Sequence, residues 1–591
     1  MFTTPFSSAA KRDLFRLSAL CLVLPWAANA GTPAQPQSVI LISIDTLRAD
    51  HLSSYGYKKV STPNIDSYAA GGTLFSSIST QVPLTLPSHT TLFTSRYPFQ
   101  TRVEENAEHV PSNLTTLASV LRAHGYSTGA FIGSVFLERQ MGLDAGFDVY
   151  DSPFRFEAFS SLSGEMMFAG PSRGVFAASE RRDGALVIRS AAQWLASQGT
   201  GRSVFAFLHL FDLHEPYRIA PAVYRAKHLS GYDAELEYVD GLLGSFRKTL
   251  ERSGWWNRSL VIVLSDHGEG LDEHGEESHG YFIYQSTLWV PLLVHWPVGS
   301  GAFRPQVTDP GGLIDVAPTI LDFLHIPAPP SFSGRSLLGA VRSADTQPPR
   351  AVYSETLHTH DAFGWAILRS VRFANYKYID APTPELYNLA TDPGEHVNLA
   401  RKEPERVEAL RLRLDKIVAR YSGAPAHAAS SPGTEALLRS LGYLSSGPDA
   451  AIHAAGPDPK DRLPEYREYR RAMLFVYDGR YREAVPILER LLLRDSHNLL
   501  ARRDLGASYL ELRQYAKALR NLNLVALAAP GDYMTQYEMG IADEHLGRKA
   551  EARRHIAAAC KIAPEAAQCQ AELRKLDGGS INKSRRAKVT Q

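Results

Sequence analysis

Cysteine is scarce, with three in 591 residues, which excludes a fold held together by a disulfide framework. Neither sign of charge dominates: 63 Lys and Arg face 62 Asp and Glu. A chain so balanced has no overall field to gather nucleic acid or an anionic membrane. The single dense basic cluster, Lys583, Arg585, Arg586 and Lys588, reads as a solvated, disordered tail over 578–591. Long apolar runs are also missing beyond the N-terminal leader, so no transmembrane anchor is expected in the mature chain. The leader has the order of a secretory signal peptide over residues 1–30. Lys11, Arg12 and Arg16 precede the apolar stretch Leu17–Ala27, and Ala28-Asn29-Ala30 supplies a small-residue cleavage site. That predicts an exported protein, periplasmic or secreted. Cys21 leaves with the leader, and the remaining pair, Cys560 and Cys569, lies where an oxidising compartment permits a bond.

The length exceeds one domain, and the composition, 44% hydrophobic and 21% charged, is that of an ordinary globular protein. Residues 37–421 alternate continuous apolar runs with amphipathic segments. This predicts an α/β domain with a mostly parallel central sheet between helices. Residues 422–459 are rich in Ala, Ser, Gly and Pro, with one short helical stretch at Thr434–Leu441, and read as a linker. From 460 to 577 a repeat sets in. Ala472, Gly506 and Gly540 are 34 residues apart, as are Tyr481, Tyr515 and Lys549; Ala484, Ala518 and Ala552; and Ser496, Pro530 and Pro564. Small residues let paired helices approach, and the last set marks helix ends. The period and placement resemble tetratricopeptide repeats, with Ala566–Leu576 as a capping helix that brings Cys569 towards Cys560. Three such units are about the minimum for a stable α-helical solenoid. Its groove is expected to hold a protein or peptide partner, with packing on the first domain or self-association as the alternatives.

Three apolar strands run into polar residues. SVILISI ends at Asp45, LVIVL passes Ser265 into Asp266 and His267, and SVFAFLHL leads to Asp212 and His214. Ligands bind at the carboxyl ends of strands in an open parallel sheet, so acids and imidazoles converge on one edge. An Asp after a strand is often only a turn residue, and the weight rests on the conjunction. Gly268 lets the chain turn beside Asp266 and His267. In Pro83–Pro98, Pro87 suits the first turn of a helix. Thr85 then sits just before a helix N-terminus, where the dipole favours an anion and a metal-activated hydroxyl can attack an ester. Capping is the plainer role for such a threonine.

These motifs resemble the sulfatases of the alkaline phosphatase superfamily. The resemblance runs through Ile44–Asp50, Tyr55-Gly56, Thr62–Asp66, Pro87–Pro98, Ser265–Glu269, Tyr284–Pro291, Glu385–Leu389 and Asp392–Glu395, in the family's order. It implies a hydrolase of sulfuric or phosphoric esters that uses a divalent metal. The departures are specific. Where the family has C-x-P-S-R or S-x-P-S-R, whose first residue becomes formylglycine, this chain has Thr85-Leu86-Pro87-Ser88-His89. The family's Asp-Asp pair is Asp45-Thr46, its Asp-Asn pair is Asp266-His267, and its G-K-x-H element is Gly133-Ser134-Val135-Phe136.

Threonine nucleophiles are familiar in the phosphorus branches of the superfamily. That pattern implies Asp45, Asp266 and His267 as metal ligands, with Thr85 as nucleophile and fourth ligand. Imidazole in place of a carboxylate favours Zn or Mn over Ca or Mg. His214 and His279 are expected to contact the oxyanion or protonate the leaving oxygen. With Asp212 they form the alternative ligand set for a second metal. Ser88 and His89 are expected at the substrate's oxyanion, and His274 and His279 have surface-loop positions as their plainer reading. The implied reaction is a two-step displacement through a covalent threonine ester. Sulfate hydrolysis, phosphate hydrolysis, phospho-group transfer to a glycan or lipid, and a non-catalytic binding module remain distinct readings.

Overall fold

The computed structural model describes residues 37–106, 108–154, 156–159, 166–168, 181–199, 201–217, 220–227, 230–343, 349–421, 456–562 and 567–577. The expected signal peptide, most of the expected linker with its Thr434–Leu441 stretch, Pro564 and the basic tail lie outside the described residues.

The strands are β1 (Ser38–Ile44), β2 (Thr73–Ser79), β3 (Ser127–Phe131), β4 (Val149–Asp151), β5 (Phe156–Phe159), β6 (Met166–Phe168), β7 (Val204–Leu210), β8 (Ser259–Leu264), β9 (Trp289–His295), β10 (Gln306–Val307) and β11 (Gly311–Gly312). Then follow β12 (Ala351–Thr356), β13 (Leu368–Phe373), β14 (Tyr376–Asp380) and β15 (Glu385–Asn388). The main sheet has the order β10-β2-β9-β8-β1-β7-β3-β4, with β11 also on β2. Pairing is parallel except where β9 meets β2 and β8. Strand β1 lies between β8 and β7 and is buried along its whole length. Its side chains alternate between two cores. Val39 and Leu41 face one with Phe205, Phe207 and Ile262, and Ile40, Ile42 and Ile44 face the other with Leu208 and Val263. Both faces are covered, which is why these strands read as unbroken apolar runs. Strands β12 to β15 form a second, antiparallel sheet in the same α/β region, beside the mostly parallel main one.

Helices of ten or more described residues are α1 (Thr85–Thr94), α2 (Gly184–Ser197), α3 (Gly231–Arg252) and α4 (Pro404–Tyr421), followed by α5 (Leu463–Tyr477), α6 (Tyr481–Arg494), α7 (Leu499–Glu511), α8 (Tyr515–Ala528), α9 (Tyr533–His545), α10 (Lys549–Ile562) and α11 (Ala567–Leu576). The second helix of each pair starts at Tyr481, Tyr515 and Lys549, which reproduces the repeat spacing. The small residues sit at helix contacts. Ala472, Ala484, Ala518 and Ala552 are fully buried. A Cβ at Gly506 would come within 2.7 Å of Leu522, and one at Gly540 within 2.6 Å of Ile556. Cys560 and Cys569 are joined as a disulfide between α10 and α11.

The repeat module packs on the α/β domain. One hydrophobic cluster holds Tyr281, Phe363 and Trp365 of the first together with Tyr466, Tyr469 and Leu500 of the second. Trp365 Nε1 donates to Asp495 Oδ2 at 3.0 Å, and β5 lies against α9. On α7 and α9 even Arg503, Asp504, Ser508 and Glu538 are buried. The module therefore makes a packed contact with the α/β domain.

Candidate active site

The edge formed by the carboxyl ends of β8, β1 and β7 gathers the polar groups. Parallel pairing puts Ser43 opposite both His209 and Leu264, so Asp45 follows β1 beside the residues that follow β8. Asp45, Asp266 and His267 are fully buried, and one ligand atom from each lies within 4.8 Å of the others. Asp45 Oδ1 and Asp266 Oδ2 have no hydrogen-bond partner in this buried space. His267 Nδ1 donates to the Gly268 carbonyl at 2.9 Å, so Nε2 is the ring nitrogen available to a cation. Burial pushes Asp45 up to about 6, partly opposed by His267, and pushes Asp266 up as well, with Asp45 adding to the effect. Two orphaned carboxylate oxygens and an imidazole lone pair, all desolvated, are the donor set a divalent cation satisfies.

Local backbone features hold this set. Thr46 adopts φ 56°, a strained conformation for a β-branched residue, and its N–H points to Asp266 Oδ1 at 3.4 Å. His267 N–H reaches the same oxygen at 2.9 Å. Gly268 does not take a left-handed conformation; close approach demands it instead, because a Cβ would lie 2.1 Å from the Ser286 carbonyl.

Thr85 is the first residue of α1 and does not cap it. Its Oγ donates to Asp45 Oδ2 at 3.2 Å and lies 3.5 Å from His267 Nε2. The helix start is less open than expected. Leu86 N–H is engaged by Asn106 Oδ1, and Pro87 has no N–H to give.

A second group forms a wall beside the first. His279 Nδ1 pairs with Glu269 Oε1 at 2.9 Å, which leaves Nε2 as its other nitrogen. The His279 ring lies 4.3 Å from that of His267 and 5.0 Å from that of His214. His214 Nδ1 is held by the Glu215 carbonyl at 2.8 Å. Burial drives His279 down to about 4 and His214 well below its usual range. Burial, aided by Glu215, lifts Glu269 to about 8. His279 is thus no surface residue. His274 is the structural one, stacked on Tyr284 and bonded to the Gly394 carbonyl.

Residues 37–326 match the family described as Sulfatase, and residues 273–420 match the description N-sulphoglucosamine sulphohydrolase, C-terminal. The chain carries a sulfatase-family domain. It is a sulfatase-family hydrolase, and residues 475–537 match Tetratricopeptide repeat. Arylsulfatase K of Danio rerio is 25% identical over 478 residues, covering 68% of this chain and 87% of that protein. Human Arylsulfatase D is 24% identical over 446 residues, covering 57% and 74%. Among solved structures, phosphonate monoester hydrolase of Agrobacterium radiobacter shares the fold with a TM-score of 0.51 and 20% identity, over 65% of this chain and 96% of that one.

Within the sulfatase domain three expected site residues fall elsewhere. Ser88 Oγ donates to the Asp266 carbonyl at 2.8 Å. His89 has both nitrogens engaged, Nδ1 on the Thr85 carbonyl at 2.7 Å and Nε2 with Ser43 Oγ at 2.9 Å, and burial lowers it to about 3. Both are turned inward as braces, one turn along α1 from Thr85, and away from an oxyanion role. Asp212 accepts the Gly184 N–H at the start of α2 and neighbours Asp183 and Glu235, so the structure does not join it to His214 and His279. Burial raises it to about 7.

His209 was missed. It lies within apolar β7, fully buried, with Nε2 3.2 Å from Asp45 Oδ2. The one signal was an imidazole in a strand otherwise apolar. Glu269 closes the Ser265–Glu269 segment, and its partner His279 is ten residues further on, so their pairing shows only in the fold.

Proposed function

We propose that the chain hydrolyses a sulfate or phosphate monoester or diester by two successive displacements at Thr85, with a divalent metal held by Asp45, Asp266, His267 and the Thr85 oxygen. The observation that carries this reading is the Thr85 hydroxyl at 3.2 Å from Asp45 and 3.5 Å from His267 Nε2. When bound, the metal lowers the hydroxyl's pKa and screens charge on the ester's non-bridging oxygens. In the first step the Thr85 Oγ–H proton passes towards Asp45 Oδ2 as Oγ bonds to sulfur or phosphorus. The bond to the organic oxygen breaks, and that oxygen takes a proton from His279 Nε2, while Glu269 passes its own proton to His279 Nδ1. Water then attacks the same centre and cleaves the bond to Thr85; the water's proton goes to His279 Nε2, which returns its Nδ1 proton to Glu269, and Asp45 gives the first proton back to Oγ. Imidazole in the ligand set favours Zn or Mn.

Threonine cannot be oxidised to formylglycine, which separates this site from the sulfatase pattern and draws it towards phosphorus esters. The signal-like leader makes an exported location our reading. The repeat module would bind a protein or peptide partner. The test is turnover of matched aryl sulfate, phosphate monoester, phosphodiester and phosphonate esters with Zn, Mn, Mg or Ca. Turnover lost in Thr85→Ala supports the reading. No turnover with any ester and metal identifies a binding module instead.

A further inference from the structure

The repeat module meets the sulfatase domain at the loops that carry His214 and His279. Along α5, Leu463, Tyr466 and Arg470 share one face, at helical spacing. Leu463 lies against Gly275, where an added Cβ would sit 3.0 Å from its Cδ2. The Tyr466 ring is 4.3 Å from that of Tyr281. Arg470, with 13% of its side chain exposed, grips both carboxylate oxygens of Glu215 at 2.9 and 3.1 Å. Its Nε is 3.6 Å from Glu277. Glu215 follows His214 in the chain, and Glu277 precedes His279 by two residues.

The Glu215 backbone is pinned as well. Its carbonyl receives His214 Nδ1 and the Arg181 guanidinium, and Arg181 Nη1 also donates to the His214 carbonyl at 2.9 Å. Arg470 Nη2 carries the hydrogen bonds to Glu215 and Nε makes a longer ion pair with Glu277, so one planar guanidinium holds both carboxylates.

We propose that Arg470 of the repeat module is a positioning residue for the active site, holding the His214 and His279 loops in register by bridging Glu215 and Glu277. The tetratricopeptide module is then a wall of the catalytic centre as well as any docking surface it provides. This inference rests on the proposed proton delivery to the leaving oxygen. A group that protonates that oxygen matters most when the departing alcohol is weakly acidic, and little when it is a nitrophenol.

The test compares wild type, Arg470→Ala and Glu215→Gln in the full chain, using para-nitrophenyl and benzyl esters of sulfate and phosphate. Hydrogen exchange of segments 211–217 and 273–281 is measured in parallel. Each variant is expected to lose about tenfold or more in kcat on the benzyl ester and less than about twofold on the para-nitrophenyl ester. KM should be nearly constant, and exchange should accelerate in those two segments while β1 and β8 are unchanged. Equal loss on both esters, or unchanged exchange in both segments, overturns the proposal. Glu215→Gln leaves α5 intact and decides the matter if Arg470→Ala does not fold. A wild-type protein inert on every ester contradicts the proposed function instead, and the exchange data still report whether Arg470 holds the loops.

Discussion

Asp45, Asp266 and His267 stand at the ends of strands buried on both faces, whereas His214 and His279 hang from loops that lean on a second module. The first group inherits its geometry from the register of β8, β1 and β7, and its braces, Thr46, Ser88, His89 and His209, come from the same domain. Contacts with α5, whose origin is some two hundred residues further along the chain, help to set the second group. A strand-end cluster is therefore expected to survive perturbation of the repeats, and the imidazole wall is expected to respond to it.

The sharpest way to break this comparison is at Thr85. Thr85→Ala should lower kcat by about 10³-fold or more while metal content, measured on the purified protein, is largely retained through the other three ligands. Asp266→Asn comes next. It removes the charge from an orphaned buried oxygen, and metal affinity by competition titration should fall by more than about 100-fold, beyond the usual cost of disturbing a ligand's supporting partner. On the wall, His279→Ala should cost about 10²–10⁴-fold in kcat on esters with poor leaving groups, with metal affinity unchanged. A wall mutation that expels the metal would merge the two groups into one.

The cluster also predicts how stability depends on pH. Asp45 is raised to about 6 in the folded protein, above its ordinary value of about 4. A raised carboxyl favours the protonated native state. In the metal-free protein its contribution is complete below about pH 4 and is lost as pH rises through about 6. A bound cation relieves the ionised pair. Chelation should therefore lower Tm markedly at neutral pH and progressively less as the solution is acidified towards pH 4. The smallest effect belongs to the module's far end. In Gly540→Ala the new methyl presses on Ile556, at about 1–3 kcal/mol, lowering the Tm of the repeats with kcat unaltered.

The strand-end logic was legible because β1, β7 and β8 are apolar enough to announce themselves and each meets a polar residue within two positions of its end. The repeats were legible because small residues recur wherever helices touch. What escaped depends on direction and distance. Ser88 and His89 lie three and four residues after Thr85, on the same helical face, yet one turn deeper, where the Asp266 carbonyl and Ser43 engage them. Asp212 follows β7 like its neighbours, but Gly184 at the start of α2 draws its carboxylate away. A histidine within a buried strand has an ordinary structural reading, so the imidazole of His209 gains its meaning only from Asp45 beside it. The Arg470–Glu215 pair joins residues 255 positions apart, and no local pattern encodes such a contact.

The central claim is that Thr85 is the nucleophile. Wild-type enzyme should be acid-quenched during turnover of the best para-nitrophenyl ester, digested, and its peptides weighed. The account predicts that the peptide containing Thr85 gains the mass of one sulfuryl or phosphoryl group, that fragmentation places the group on Thr85, and that Thr85→Ala shows no adduct. A modified residue other than Thr85, or full turnover by Thr85→Ala, would contradict it.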